Sequence, residues 1–216
     1  MHRLGEIVSV NRWYFSGYFL ILIISLIPQI FLNQTELFLE VNSMHSGALD
    51  FFFYWITYFG DGATFAILVA VLFFISYSKA LNGLTMFLST AIFAQVLKRV
   101  FFADHFRPYT VLSEQYEIYV PEGVKTLIFE TFPSGHTTTA FAMATFLVLT
   151  YPKRNIWLAM LVLAWLTAYS RVYLTHHFPI DVWVGSIIGT IGGLIIYWLF
   201  AARFDKKFGD KSLLNR

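Results

Sequence analysis

Three short segments hold most of the side chains in this chain that could carry out chemistry: "LKRVFFADHFRP" from Leu97, "PSGHTTT" from Pro133 and "SRVYLTHHFPID" from Ser170. Together they supply the cations Lys98, Arg107 and Arg171, the pair Ser134–Gly135, the histidines His136 and His177, and Asp181. Three cations suit a multiply charged anion, and guanidinium forks match phosphate oxygens two at a time. A helix opening at Ser134–Gly135 would add free backbone N–H groups and the positive end of its dipole, with no side chain at Gly135 to obstruct an anion. His177 and Asp181 stand four residues apart, one helical turn, so the carboxylate can orient the imidazole. The pattern reads as a phosphate held by cations, with one oriented histidine and a second, His136, opposite it.

Taken singly, each feature has a plainer reading. Lys98 and Arg99 near a helix end could snorkel to lipid headgroups. Pro133 and Ser134 could be an ordinary helix start, with Ser134 as the N-cap. His176 and His177 could be interfacial loop residues. Arg171 is harder to dismiss, because it directly follows an apolar run and a charge at that depth needs a partner.

The elements that must position these residues are membrane helices. The 216 residues are 57% hydrophobic and 13% charged, where soluble domains carry about 25% charge. A net charge of +2 does not point to nucleic acid, and the absence of cysteine excludes disulfides, thiolate metal sites and a cysteine nucleophile. Apolar runs predict six spans, at about 14–32, 63–77, 81–102, 134–151, 156–173 and 180–200. The aromatic stretch "LDFFFYWITYF" before Gly60, with acids nearby, predicts an interfacial helix between the first two spans. The expected fold is therefore all-α, a polytopic membrane protein in one integral domain over residues 1–216, ending in a basic, solvated cytoplasmic tail at 201–216. Residues 103–132 form a long polar loop. With six spans, ten of the fifteen Lys and Arg residues fall on the side of the termini and ten of the thirteen acids on the other. The positive-inside rule then puts the termini in the cytoplasm. All three chemistry-bearing segments meet the outer surface.

On these residues the chain resembles the phosphatidic acid phosphatase type 2 superfamily, the lipid phosphatases related to vanadium-dependent haloperoxidases. The second family motif is intact as "PSGH", residues 133–136, and the third as Ser170, Arg171, His177 and Asp181 in register. That register selects His177 over His176. The first motif departs: six residues usually separate its lysine from Arg-Pro, whereas eight separate Lys98 from Arg107, with Arg99 as a weaker substitute for the lysine. The resemblance covers a phosphatase core of about 51–200. It implies that His177 attacks phosphorus and forms a phosphohistidine, that Asp181 holds its ring, and that His136 serves as acid and then base. Lys98, Arg107, Arg171, Ser134 and the Gly135 N–H would neutralise the phosphoryl oxygens without a metal or other cofactor.

Three other readings stand beside this one. A metal hydrolase would use His105, His136, His177 and Asp181 as ligands, but Arg107 and Arg171 would crowd a cation with like charge. A phosphotransferase would pass the phosphoryl group to a second lipid, and a carrier or scaffold would do no chemistry. The expected partners are membrane lipids and an amphiphilic lipid phosphate: polyprenyl diphosphate, lipid A phosphate, phosphatidylglycerol phosphate or phosphatidic acid. The compact chain with short loops suits a bacterial inner membrane with its site on the periplasmic face. The glutamates of the long loop are expected to shape headgroup choice, and the aromatic run Phe51–Phe59 either to line the tail's route or to anchor the chain in the interface.

Overall fold

The computed structural model describes residues 4–209 and 211–215. Arg3 and Arg216, two of the cations assigned to the cytoplasmic side, lie outside them. Every regular element among the described residues is helical. Breaks between the apolar runs coincide with residues that cap helices. Leu4–Val10 (α1) and Arg12–Phe31 (α2) are followed by Gln34–Ser43 (α3), opened by a capping box in which Asn33 and Glu36 bond each other's backbone N–H. Ser46 caps Gly47–Ile56 (α4), which passes through a 3-10 turn at Thr57–Gly60. Asp61 caps Gly62–Ile75 (α5), and Ser76 caps Tyr77–Val96 (α6). Proline sits at the start of both Pro108–Leu112 (α7) and Pro179–Phe208 (α10), where its missing N–H costs nothing. Ser134 caps Gly135–Thr150 (α8), and Arg154–Tyr173 (α9) completes the set.

Among the described residues, four helices are long and apolar enough to cross a membrane: α2, α6 with the turn that extends it to Phe101, α9 and α10. A fifth is obtained if residues 47–60 and α5, bent by 51° between them, form one broken span. α8 has only 16 residues, about 24 Å of helix. It is the centre of the bundle, with nearly every side chain from Thr137 to Leu149 buried, so it need not present a lipid-facing surface. α10 lies against it along a stripe of glycines. A Cβ at Gly185 would come within 2.8 Å of the Ser134 carbonyl, and one at Gly189 would collide with the Thr138 carbonyl and Phe141. This close approach brings Asp181, at the head of α10, beside the start of α8, where the Ser134 N–H donates to the Asp181 carbonyl at 3.0 Å.

At the opposite end of the bundle lies the segment expected to be a basic tail, in which Arg203, Lys206, Lys207 and Lys211 are exposed. α10 runs on from Phe200 to Phe208, and Ser78 Oγ donates to Asp205 there. The backbone then folds back, so that Tyr77 N donates to Lys211 O at 2.8 Å and Leu213 N to Phe73 O at 3.0 Å. Ser212 is buried. The long loop is likewise tied down. Its backbone pairs at Arg107 N with Ile128 O (2.9 Å) and at Thr131 N with His105 O (3.1 Å), while Asn42 exchanges two hydrogen bonds with Tyr119. Carboxylate oxygens of Asp50 on α4 accept from Tyr119 and Tyr173, fixing α4 to the loop and to α9.

Candidate active site

The three segments converge at the end of the bundle where α8 begins. They enclose a cavity of about 290 Å³ lined by Lys98, Arg107, Gly135, His136, Arg171 and His177, with Gly60, Gly62, Phe87, Ala91 and Ala94 on its apolar side. None of the run Phe51–Phe59 is in that lining; Phe53 packs on Tyr173, and Phe51, Tyr54 and Trp55 line a separate surface cavity beside Tyr119.

Lys98 reaches the site through a local irregularity. α6 continues into a single π turn over Leu97–Phe101, closed by Phe102 N donating to Leu97 O at 3.1 Å. A π turn accommodates an extra residue within a helix, and the chain leaves it through a short turn at 102–104. The additional residues between Lys98 and Arg107 are absorbed there, and Lys98 remains buried in the cavity wall. Arg99 points elsewhere, exposed beside Glu130 at 3.8 Å.

Arg107 is buried and held by three carbonyls: Nε by Phe129 (2.9 Å), Nη1 by His176 (2.8 Å) and Nη2 by Glu130 (3.3 Å). Glu130 adopts φ 59°, the left-handed region that non-glycine residues seldom occupy. Arg171, also buried, donates through Nη1 to Thr57 Oγ1 and through Nη2 to His176 Nδ1, both at 2.7 Å, while its Nε has no partner among the described residues. His176 therefore accepts at Nδ1 and is neutral; burial, then Arg171 and Arg107, push its pKa down to about 2. Thr57 and Thr131 are not singled out by the sequence, because each acts through a contact made only after folding, and His176 is set aside there in favour of His177.

His177 follows Thr175, whose φ of 60° turns the chain sharply out of α9. Its ring is almost wholly buried, and Nδ1 lies 3.3 Å from both Asp181 Oδ2 and Thr131 Oγ1. Asp181 is fixed in turn by the Phe178 N–H at 2.9 Å and by the Thr131 hydroxyl. With Nδ1 engaged, Nε2 is the ring nitrogen left free. Burial, then Arg107, Lys98 and Arg171, hold the ring's pKa well below the usual range, so it stays neutral.

That shift has a stability consequence. An unfolded imidazole titrates near pH 6.5. Below that pH the unfolded chain takes up a proton that folded His177 refuses, so stability falls as pH falls. For one such ring the loss grows by at most about 1.4 kcal/mol per pH unit below that point. The thermal midpoint in detergent is expected to be lower at pH 5 than at pH 7, with a shallower dependence in His177→Gln. Equal slopes in the two proteins would show that His177 protonates within the folded state.

Ser134 is not on the cavity wall. It is fully buried, and its Oγ accepts from Thr137 N (3.4 Å) and Thr137 Oγ1 (3.0 Å), as a cap does. Its effect is to open α8 so that the Gly135 N–H, which has no intrahelical partner, faces unobstructed space; a Cβ at Gly135 would meet nothing within 4 Å. His136, partly exposed, stands 3.9 Å from Asp61 across the cavity mouth. His105 is exposed, stacked edge-on against Phe102. The set His105, His136, His177 and Asp181 is therefore not assembled, and among the described residues no group of three His, Asp or Glu side chains is placed to share an ion.

A bundle of membrane-length apolar helices, closed at one end around a cationic cavity with two histidines, defines an integral membrane protein with a polar site at the end of its helices. The chain belongs to the PAP2 superfamily, whose profile matches residues 79–205. It is similar to the crystal structure of Aquifex aeolicus LpxE, with a TM-score of 0.67 and 31% identity over 76% of this chain and 93% of that one. It is 39% identical over 70 residues to a lipid A 4'-phosphatase of Bacteroides thetaiotaomicron, a match covering 32% of this chain and 30% of the relative's length. With the undecaprenyl-diphosphatase BcrC of Bacillus subtilis it shares 24% identity over 75% of this chain and 81% of the relative.

Proposed function

We propose that the chain is a lipid phosphatase that hydrolyses a phosphate or diphosphate headgroup at the outer leaflet through a phosphohistidine. The observation that carries this reading is the pinning of His177 Nδ1 by Asp181 and Thr131. It leaves Nε2 for a cavity that also holds Lys98, Arg107, Arg171 and the open end of α8. The names of the similar proteins, lipid A phosphatases and undecaprenyl-diphosphatases, make lipid A phosphate and polyprenyl diphosphate the first substrates to test, ahead of phosphatidylglycerol phosphate and phosphatidic acid.

His177 Nε2 attacks phosphorus, forming an N–P bond as the bond to the leaving oxygen breaks, and His136 gives that oxygen its proton. Asp181 stabilises the charge that His177 acquires. Water then attacks the phosphohistidine, passing a proton to His136; the N–P bond breaks and inorganic phosphate leaves. Lys98, the two arginines and the Gly135 N–H hold the phosphoryl oxygens throughout. Phosphoryl transfer depends mostly on such positioning and charge stabilisation, so the reaction needs no metal.

The reading includes six crossings, with α5 and α8 as short spans inside a shell of longer helices. α3 and α4 lie in the interface, anchored by the exposed rings of Phe51, Phe52, Trp55 and Tyr58. The charge asymmetry puts the termini in the cytoplasm and the cavity on the periplasmic face of a bacterial inner membrane. The deciding experiment supplies purified protein in detergent with each radiolabelled lipid, with and without chelator. Release of inorganic phosphate in chelator is the expected result. Label moving to a second lipid would identify a phosphotransferase, activity lost in chelator and restored by a divalent cation would overturn metal independence, and no turnover of any substrate would overturn the enzyme.

A further inference from the structure

The acid step asks His136 to carry a proton in a cavity where every other charged wall group is a cation. Lys98 approaches from the π turn, Arg107 from the long loop and Arg171 from α9, and all three line the same cavity as His136. Asp181 lies behind His177, committed to Nδ1, Thr131 and the Phe178 N–H. Glu130 pairs with Arg99 outside. The acid closest to His136 is Asp61, with Oδ2 3.9 Å from Nε2.

The loop is built so that Asp61 has to stand there. Gly60 packs against the His136 backbone so closely that a Cβ would lie 2.5 Å from the His136 carbonyl and 2.8 Å from Thr167. Asp61 divides its two oxygens: Oδ1 accepts from Ala63 N at 2.8 Å and caps α5, while Oδ2 is turned to the imidazole. A cap needs one oxygen and no charge, since asparagine serves as well as aspartate. The second oxygen is left to face His136, and the carboxylate also acts on Arg171 in the same wall.

We propose that Asp61 is the positioning carboxylate of His136, the counter-charge that lets this ring hold the proton it delivers to the leaving group. At 3.9 Å the pair is longer than a hydrogen bond, so Asp61 acts through charge and orientation and does not itself transfer the proton. The site then contains two carboxylate–histidine pairs with different tasks: Asp181 orients a buried nucleophile, and Asp61 supports a solvent-facing acid and base. The inference rests on the phosphatase reading above.

Asp61→Asn tests it, because asparagine keeps the cap and removes the charge. With a lipid alkyl phosphate, kcat is expected to fall about 10²-fold, the low end of the contribution of a positioned general acid, with KM and thermal midpoint nearly unchanged. The single-turnover rate of nitrophenol release from p-nitrophenyl phosphate, whose leaving group needs no proton, is expected to fall by less than about fivefold, and Asp61→Glu to restore part of the alkyl rate. Alkyl turnover within threefold of wild type, or alkyl and aryl reactions falling together with the thermal midpoint, would overturn the assignment while leaving the phosphatase reading intact. A wild-type protein without turnover would overturn both.

Discussion

His177→Ala is expected to lower turnover by about 10⁴-fold or more, the loss typical of removing a nucleophile, and to abolish radiolabel trapped on the protein from a labelled lipid phosphate. The argument depends on what the substitution leaves behind. Arg107 is held by the carbonyls of Phe129, Glu130 and His176, and Arg171 by Thr57 and the His176 ring. None of these contacts involves the His177 side chain. The cationic cradle is therefore expected to persist, and inorganic phosphate is expected to protect wild type and the variant alike against thermal unfolding. Turnover lost with phosphate binding retained separates a missing nucleophile from a collapsed site. A carrier or scaffold would give the contrary result, with function unaffected, and trapped label surviving in His177→Ala would place the covalent bond on another residue.

The pairing of His177 with Asp181 was legible because their spacing is local: the two stand four residues apart, and Nδ1 lies 3.3 Å from Oδ2. The same holds for Ser134 as a helix start, where capping was the plainer of two readings, and the buried hydroxyl on Thr137 matches it. Lys98 was harder. Residue counting left it displaced relative to Arg107, and only the π turn at Leu97–Phe101 shows how the extra residues are taken up with the lysine still inward. Thr57, Asp61 and Thr131 were invisible for another reason. Each contributes through a partner in another segment: Thr57 through Arg171, Asp61 through His136, Thr131 through His177 and Asp181. No spacing along the chain encodes such contacts. The long helices follow their apolar runs, whereas α8 is short and central, and α10 runs past its apolar run to Phe208, where Asp205 accepts from Ser78 at the start of α6.

His136→Gln is expected to leave a different signature from His177→Ala, and the two rings' surroundings say why. The His177 side chain is 2% exposed and sealed behind the cations, while that of His136 is 37% exposed at the mouth. A sealed neutral ring suits attack on phosphorus, and an open ring can meet both the departing oxygen and the incoming water. Without His136, the alkoxide of a lipid phosphate leaves unprotonated, so kcat is expected to fall by about 10²- to 10⁴-fold. An aryl phosphate, with its better leaving group, still phosphorylates His177, but water then lacks its base in the second step. The phosphoenzyme is therefore expected to accumulate from p-nitrophenyl phosphate in His136→Gln, giving a burst of nitrophenol equal to the enzyme present and label that stays on the protein. In wild type the same intermediate turns over and little label is retained. A variant that releases phosphate from the aryl substrate as fast as wild type, with no burst and no trapped label, would remove His136 from the second step. Equal losses on alkyl and aryl substrates in the burst would remove it from the first.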